Sequence, residues 1–313
     1  MRRISPGIIV VFVFLAMLFS PQEVFNGASE GLLLWFQIII PTLFPFMLVS
    51  NLMLASGGLS IVARLSGGIS RAIFGTSENG SFAVLAGFLC GYPMGAKVSA
   101  DLLRANKITE QEAGYLLSFC NNTSPVFIIN YIVWKSLGKE ELLAPTLIIL
   151  FIVPMLLSLV FRRYYLKGKK FFENVDLQEM PGRKFNLGLV DECMMNSFES
   201  IVKVGGYIIL FSILISLLNG ILSRNCPVFL LPAILEITNG IRMIAENIQN
   251  ITVSYPLILG ITTFGGLCAA AQTSCMLEGT GIKMLPYLIE KLAAALAASL
   301  IGYLYIYTVT CTV

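Results

Sequence analysis

Five consecutive residues, Asn121-Asn122-Thr123-Ser124-Pro125, bring two amides, two hydroxyls and a ring that cannot donate a backbone hydrogen bond. They stand between the apolar runs Tyr115-Leu116-Leu117 and Val126-Phe127-Ile128-Ile129. Such groups can hold the carboxylates or hydroxyls of a small solute, and they can equally bond between helices and stabilise packing. A second cluster, Leu235-Glu236-Ile237-Thr238-Asn239-Gly240, puts an ionisable group in a weakly polar segment, where it must be paired, protonatable or open to water. Arg242 lies six residues on, beyond i,i+4 reach. Glu236 is therefore read either as an ion-coupling, gating or substrate group or as part of a structural network. Thr262-Thr263-Phe264-Gly265-Gly266 offers hydroxyls beside two glycines, and Gln272-Thr273-Ser274 follows. In Gly91-Tyr92-Pro93-Met94-Gly95, the glycines permit close approach, proline makes a turn or kink, and Tyr92 can meet a ring or cap packing. Lys97 either adds positive potential for an anion or extends to the inner surface.

Substrate contact is accordingly assigned to Tyr92, Lys97, Asn121, Asn122, Thr123, Ser124, Thr238, Asn239, Thr262 and Thr263. Coupling or gating is assigned to Glu236, Gly91, Gly95, Gly265 and Gly266. No nucleophile–base pair accompanies them, so no enzyme is expected. Histidine is absent and no paired CxxC spacing occurs, which argues against a zinc or haem centre. The seven cysteines read as small buried residues rather than a disulfide framework. No cofactor is expected. A coupling cation is left open between proton, sodium and substrate-associated calcium, with no metal ligands assigned.

The elements that must position these groups are membrane helices. Of 313 residues, 56% are hydrophobic and 12% charged, about half the charge of an ordinary soluble domain. Charge-free stretches such as 31–63, 113–134, 142–161 and 292–313 mostly reach the roughly 20 residues that a hydrocarbon core of about 30 Å requires. Backbone in lipid must bond within its own segment, and no barrel alternation is visible, so the fold class is all-α and polytopic. The net charge of +3 shows no basic patch interleaved with exposed aromatics, and no nucleic-acid partner is expected. Residues 1–30 read as an N-terminal membrane anchor and loop, retained rather than cleaved, because residues 20–23 lack a small-x-small cleavage pattern. A block from 31 to 161 follows, then a basic linker over 162–190 and a block from 191 to 313. Residues 162–184 carry seven Lys or Arg against three acids, which puts the linker in the cytoplasm. One path with re-entrant segments at 79–96 and 227–244 leaves sixteen basic residues inside, Lys97 and Lys291 among them, and three outside: Lys135, Lys139 and Arg224. On that path each block is a long helix, a polar hairpin, a broken helix and a closing helix, in opposite orientations. This is the pattern of an inverted repeat with its substrate site at the breaks. Glu199 and Lys203, at i,i+4, read as a structural ion pair.

The strings Ile40-Pro41-Thr42-Leu43-Phe44-Pro45-Phe46, Gly87-Phe88-Leu89-Cys90-Gly91-Tyr92-Pro93-Met94-Gly95-Ala96-Lys97 and Asn121-Asn122-Thr123-Ser124-Pro125 resemble the sporulation integral membrane protein family of endospore-forming bacteria, which carries nucleoside-recognition, or gate, domains. The resemblance covers about residues 31–307. It implies a core similar to part of the concentrative nucleoside transporters and a place in the mother-cell-derived outer membrane of the forespore. It also implies transport of dipicolinic acid, pyridine-2,6-dicarboxylate, toward the spore. The partners implied are the lipid bilayer, a small anionic aromatic metabolite, and a second copy or other sporulation membrane proteins. Two alternatives stand: a transporter of nucleosides or other small metabolites, and a non-transporting scaffold for spore-envelope assembly.

Overall fold

The computed structural model describes residues 6–172, 183–221 and 231–311, and no strand occurs among them. Six helical segments are long and apolar enough to cross a membrane: Pro21–Ser56, Glu110–Leu137, Glu140–Leu166, Leu187–Asn219, Ile251–Met276 and Met284–Val309. Their outer faces carry apolar side chains. In α15 (Met284–Cys311), Leu285, Ile289, Leu292, Leu296, Leu300 and Leu304 are all exposed, while Tyr287, Glu290, Lys291, Ala294 and Ala298 are buried. Apolar outside and polar inside is the arrangement lipid demands. The chain is an integral membrane protein.

The N-terminal region differs from the expected anchor and loop. α1 (Pro6–Phe19) is only 14 residues long, and the expected loop up to residue 30 is helix. α2 (Pro21–Leu34) passes through a π-helical turn, Trp35–Ile39, into α3 (Ile40–Ser56). The reason is a close antiparallel contact with α10 (Leu187–Ile221). A Cβ on Gly27 or Gly31 would come within 2.8 Å of the α10 backbone at Ile213 or Ile209. Farther along, the Trp35 indole donates to the Ile201 carbonyl at 2.9 Å and Asn51 donates to Ser197 at 2.8 Å. Glu23 accepts from Ser216 of α10 at 2.8 Å, and the exposed Glu30 lies 3.7 Å from Arg242.

α4 (Leu59–Phe74) leads into a hairpin of α5 (Gly80–Cys90) and α6 (Met94–Arg104), which meet at Gly91–Pro93. α7 (Glu110–Cys120) stops at residues 121–124 and resumes as α8 (Pro125–Phe127), continuing as a π-helical stretch, Ile128–Leu137. α9 (Leu143–Leu166) closes this set. After α10, the short α11 (Leu231–Leu235) and α12 (Ile237–Asn247) fold against each other about Glu236. α13 (Ile251–Phe264) and α14 (Gly266–Met276) are parted at Gly265, and α15 packs along α13. Residues 227–230 of the expected second hairpin lie outside the described residues, as do residues 173–182 of the linker. Helix at both ends trims that linker to residues 167–186.

The Arg104 guanidinium bonds the carbonyls of Met276 and Glu278, so the α5–α6 hairpin opens at the end where α14 exits. α12 leads out at the other end, into α13. The two hairpins therefore enter from opposite ends, and the two broken helices run in opposite directions. Lys97 and Lys291, counted above as inside-loop charges, are instead buried in helices, at 6% and 2% exposure.

The α5–α6 hairpin is seated on α7 through one glycine on each arm. A Cβ on Gly95 would lie 2.6 Å from the Cys120 carbonyl oxygen, and one on Gly87 would strike the same oxygen. Gly95→Val is expected to cost about 1–3 kcal/mol, the range for overpacking, and to lower the thermal unfolding midpoint in detergent. Gly68→Ala, with no atom within 4 Å of the new methyl, should change it by less than about 0.5 kcal/mol.

Candidate functional site

The four helix interruptions meet. A Cβ on Gly91 would lie 2.6 Å from the Ser124 nitrogen, so the first hairpin tip sits on the break of α7–α8. A Cβ on Gly265 would lie 3.6 Å from the Tyr92 ring, which puts that tip against the break of α13–α14 as well. The Thr123 hydroxyl donates to the Thr262 carbonyl at 3.1 Å, joining the two broken helices. A Cβ on Gly266 would lie 3.1 Å from the Leu235 carbonyl, and the Tyr131 hydroxyl donates to the Thr238 carbonyl at 2.8 Å. These contacts bring in the second hairpin.

Most of the polar atoms assigned to substrate are engaged with the protein itself. Glu236 caps α12: one carboxylate oxygen accepts from the Thr238 amide at 2.9 Å, the other from the Asn239 amide at 2.9 Å and the Asn239 side chain at 3.1 Å. Asn239 in turn accepts from Arg242 at 2.9 Å, so the residues at i, i+3 and i+6 form one relay. Asn121 accepts from the Ala96 amide in the first turn of α6 at 3.3 Å. Its amide nitrogen donates to Thr273 at 2.8 Å and to Tyr287 at 2.9 Å. Asn122 donates to the Phe119 carbonyl and accepts from the Lys291 ammonium at 3.0 Å. Ser124 caps α8 by accepting from the Phe127 amide, and Thr263 donates to the Leu259 carbonyl. The Thr262 hydroxyl is buried with no partner among the described residues.

A cavity of about 340 Å³ opens where the breaks converge, within the usual range for a small-molecule site. Of the assigned residues it is lined by Gly91, Tyr92, Thr123, Ser124, Glu236, Thr238 and Gly265. Asn121, Asn122, Asn239, Thr262, Thr263, Gly95 and Gly266 stand behind the wall. Both π-helical stretches contribute lining: Gln37 from one, and Asn130, Tyr131 and Lys135 from the other. Wide helical turns recur at functional sites. Lys135 also lies over the Tyr131 ring, 5.3 Å from its centroid. α14 begins at the cavity with Gly265, Cys268 and Ala269 in the wall, and no side chain caps its N-terminus.

Lys97 is not in this cavity. It bonds Asp101 at 2.6 Å and Asn51 at 3.0 Å and lines a second space of about 550 Å³, together with Arg104, Lys203 and Glu199. Lys203 and Glu199 form the expected ion pair at 2.8 Å. The two cavities are stacked toward opposite ends of the molecule. On α3, Leu43 lines the first and Asn51 the second, with Met47 between them. On α10 Val204 lines the first and Ser200 and Lys203 the second, with Ile201 buried on the face of Val204; on the hairpin the order is Tyr92, Met94, Lys97. Met47, Met94 and Ile201 have no solvent exposure, so a packed apolar layer separates the two spaces.

Sequence reasoning missed Lys135, which it placed in an outside loop, and Tyr287 and Lys291 of α15. The available signal for the last two was the stripe Tyr287, Lys291, Ala294, Ala298, which repeats at helical spacing on one face. Because Asn121 joins α6, α7, α14 and α15, Asn121→Ala is expected to destabilise the protein by about 1–3 kcal/mol, leaving buried partners unpaired. Thermal unfolding in detergent reads this. Replacing the exposed Asn130 in the same way should leave the midpoint nearly unchanged.

No protein-family model matches the chain, and no solved structure matches it. The chain is similar to the sporulation integral membrane protein YlbJ of Bacillus subtilis (strain 168). The two are 25% identical over an alignment of 325 residues that covers 92% of this chain and 79% of the relative.

Proposed function

We propose that this membrane protein is a carrier for a small aromatic dicarboxylate, dipicolinate, which it moves from the mother cell toward the forespore across the outer forespore membrane. The convergence of four helix interruptions on one cavity carries the reading. Irregular backbone inside a membrane protein is tolerated where it is buried or lines a polar space, and paired interruptions in two halves mark transporter binding sites. The opposed hairpins and broken helices support an inverted-repeat, gate-like core, and the two end-facing cavities with a thin apolar layer between them suit alternating access. The sporulation role rests on the name of the similar B. subtilis protein.

The cavity chemistry suits the substrate class. The uncapped first turn of α14 offers backbone N–H groups and a positive dipole end to one carboxylate, and Lys135 offers a cation to the other. The Tyr92 and Tyr131 rings line the same space for the pyridine ring. The sole acid in the wall, Glu236, is held by three donors of its own helix, which moderates its repulsion of an anion. A neutral nucleoside is the second reading, because the wall carries one cation and one acid and is otherwise mostly apolar.

Purified protein in liposomes is expected to take up labelled dipicolinate, with unlabelled dipicolinate competing and nucleosides not. Lys135→Gln and Tyr92→Ala should each lower uptake about tenfold, the loss of roughly one charge-assisted or stacking contact of about 1.4 kcal/mol. Competition by nucleosides alone would transfer the assignment to them. Absence of uptake by folded protein under every gradient would favour a scaffold.

A further inference from the structure

Two consecutive ionisable residues of α15 lie buried in the span and belong to neither cavity wall. Lys291 is 2% exposed, and its ammonium has one hydrogen-bond acceptor among the described residues, Asn122 Oδ1 at 3.0 Å. An ammonium carries three donors, and one inside a membrane is costly and usually functional. Glu290 is 7% exposed. Its Oε1 accepts from the Tyr165 hydroxyl of α9 at 2.8 Å, and its Oε2 is buried with no partner among the described residues. The Tyr165 ring is itself seated on Gly114 of α7, where a Cβ would lie 3.0 Å from it. The pair thus touches α7 and its break: Glu290 through Tyr165 to α7, Lys291 directly to a residue that interrupts the helix.

Few other ionisable groups face the pair. From α7, Cys120 interacts electrostatically with Lys291. Tyr115, on the same helix, lies beside Tyr165, with ring centroids 6.1 Å apart. Glu112 is engaged by the Ser77 amide at 2.6 Å. From α9 come Tyr165, with Tyr164 behind it, and Arg162, which packs against Gly75. On α15 itself Tyr287 is the neighbour, bonded to Asn121. α13, packed along α15, contributes no charged residue, and its Tyr255 is bonded to Thr146. Glu290 and Lys291 are thus opposite charges on consecutive residues, without a direct ion pair among the described residues, and Glu112 Oε2 of α7 is the other buried carboxylate oxygen that lacks a partner there.

We propose that Glu290 and Lys291 form a proton-binding site within the membrane, that Glu290 Oε2 receives the proton, and that its loading governs the α7–α8 break through Lys291 and Asn122. Unloaded, the carboxylate and the ammonium sum to zero. Loaded, the carboxylate plus one proton becomes a carboxylic acid and the site gains one positive charge behind the cavity wall, where Lys291 bonds Asn122 beside the lining residue Thr123, offsetting one charge of a dicarboxylate. No oxidant or second reactant is involved. The proton comes from water at the end where α15 begins, six residues or about 9 Å before Glu290. The inference rests on the carrier reading and adds the proton as its coupling ion.

The test uses liposomes holding a trapped pH indicator, with labelled dipicolinate outside and imposed pH gradients of either sign. Wild-type accumulation should change about tenfold per unit of gradient for each coupled proton, and addition of dipicolinate should shift the internal pH. Glu290→Gln keeps an acceptor for Tyr165 and should retain dipicolinate-dependent thermal stabilisation and exchange while losing the gradient response. Lys291→Arg keeps the donor to Asn122 and should remain folded. Gradient-independent uptake by the wild type, or a Glu290→Gln variant that follows the gradient as the wild type does, overturns the proposal while leaving a carrier. Infrared difference spectra across pH separate the two ideas. A protonated-carboxyl band lost in Glu290→Gln retains the proton site even where no dipicolinate moves, which would sink the carrier reading alone. The same spectrum without that band overturns the site.

Discussion

Every backbone amide and carbonyl freed by a helix interruption must find a partner inside the protein, because an apolar surround supplies none. Four such interruptions in one chain would each be expensive alone. They become stable by being placed against one another and by spending side chains on the freed groups. Asn121 serves the first turn of α6, Ser124 that of α8, and Glu236 that of α12. The Thr123 hydroxyl answers the Thr262 carbonyl across the centre. The glycines follow from the same demand, since Gly91 and Gly95 let the tip approach a backbone that any larger residue would displace.

This economy explains how much of the molecule was legible. Charge-free stretches long enough to span, polar strings too costly for lipid, and glycines at turns are properties of single segments, so the all-helical membrane class and the places of interruption could be read directly. Where each polar side chain points is a property of pairs of segments distant in sequence. Asn121 and Asn122 looked like ligands because their cost in lipid was visible and their partners, Tyr287 and Lys291, were more than 160 residues away. Lys291 looked like a loop charge because a topology tally counts lysines by position along the chain, whereas a buried lysine is recognised only by what surrounds it.

The layer between the cavities bears on how such a molecule can move. Met47, Met94 and Ile201 come from three elements, and two of the three are methionine, whose unbranched and polarisable side chain repacks at low cost. The interlocked breaks, by contrast, are joined by side-chain hydroxyls donating to backbone carbonyls, Thr123 to Thr262 and Tyr131 to Thr238, and cannot slide singly without leaving those groups unpaired. Under the proposed carrier reading, motion that opens one cavity and closes the other would carry the hairpin tips and breaks as a unit past the α3–α10 pair, with the methionine layer as the deformable part.

The helix N-termini at the centre are not equivalent, and the difference bears on the proposed carboxylate substrate. α12 begins on a carboxylate, that of Glu236, bonded to two consecutive amides and one side-chain amide at 2.9 to 3.1 Å. α14 begins at the same cavity wall, after the break at Gly265, with no side-chain cap. Its first N–H groups have the same intrinsic need, since nothing earlier in the helix can satisfy them. A solute carboxylate placed there would make for α14 the bonds that Glu236 makes for α12, using a geometry the protein already contains. An uncharged solute could accept fewer of those bonds and would gain less from the dipole, so the empty cap weights the cavity toward carboxylates over neutral rings of similar size.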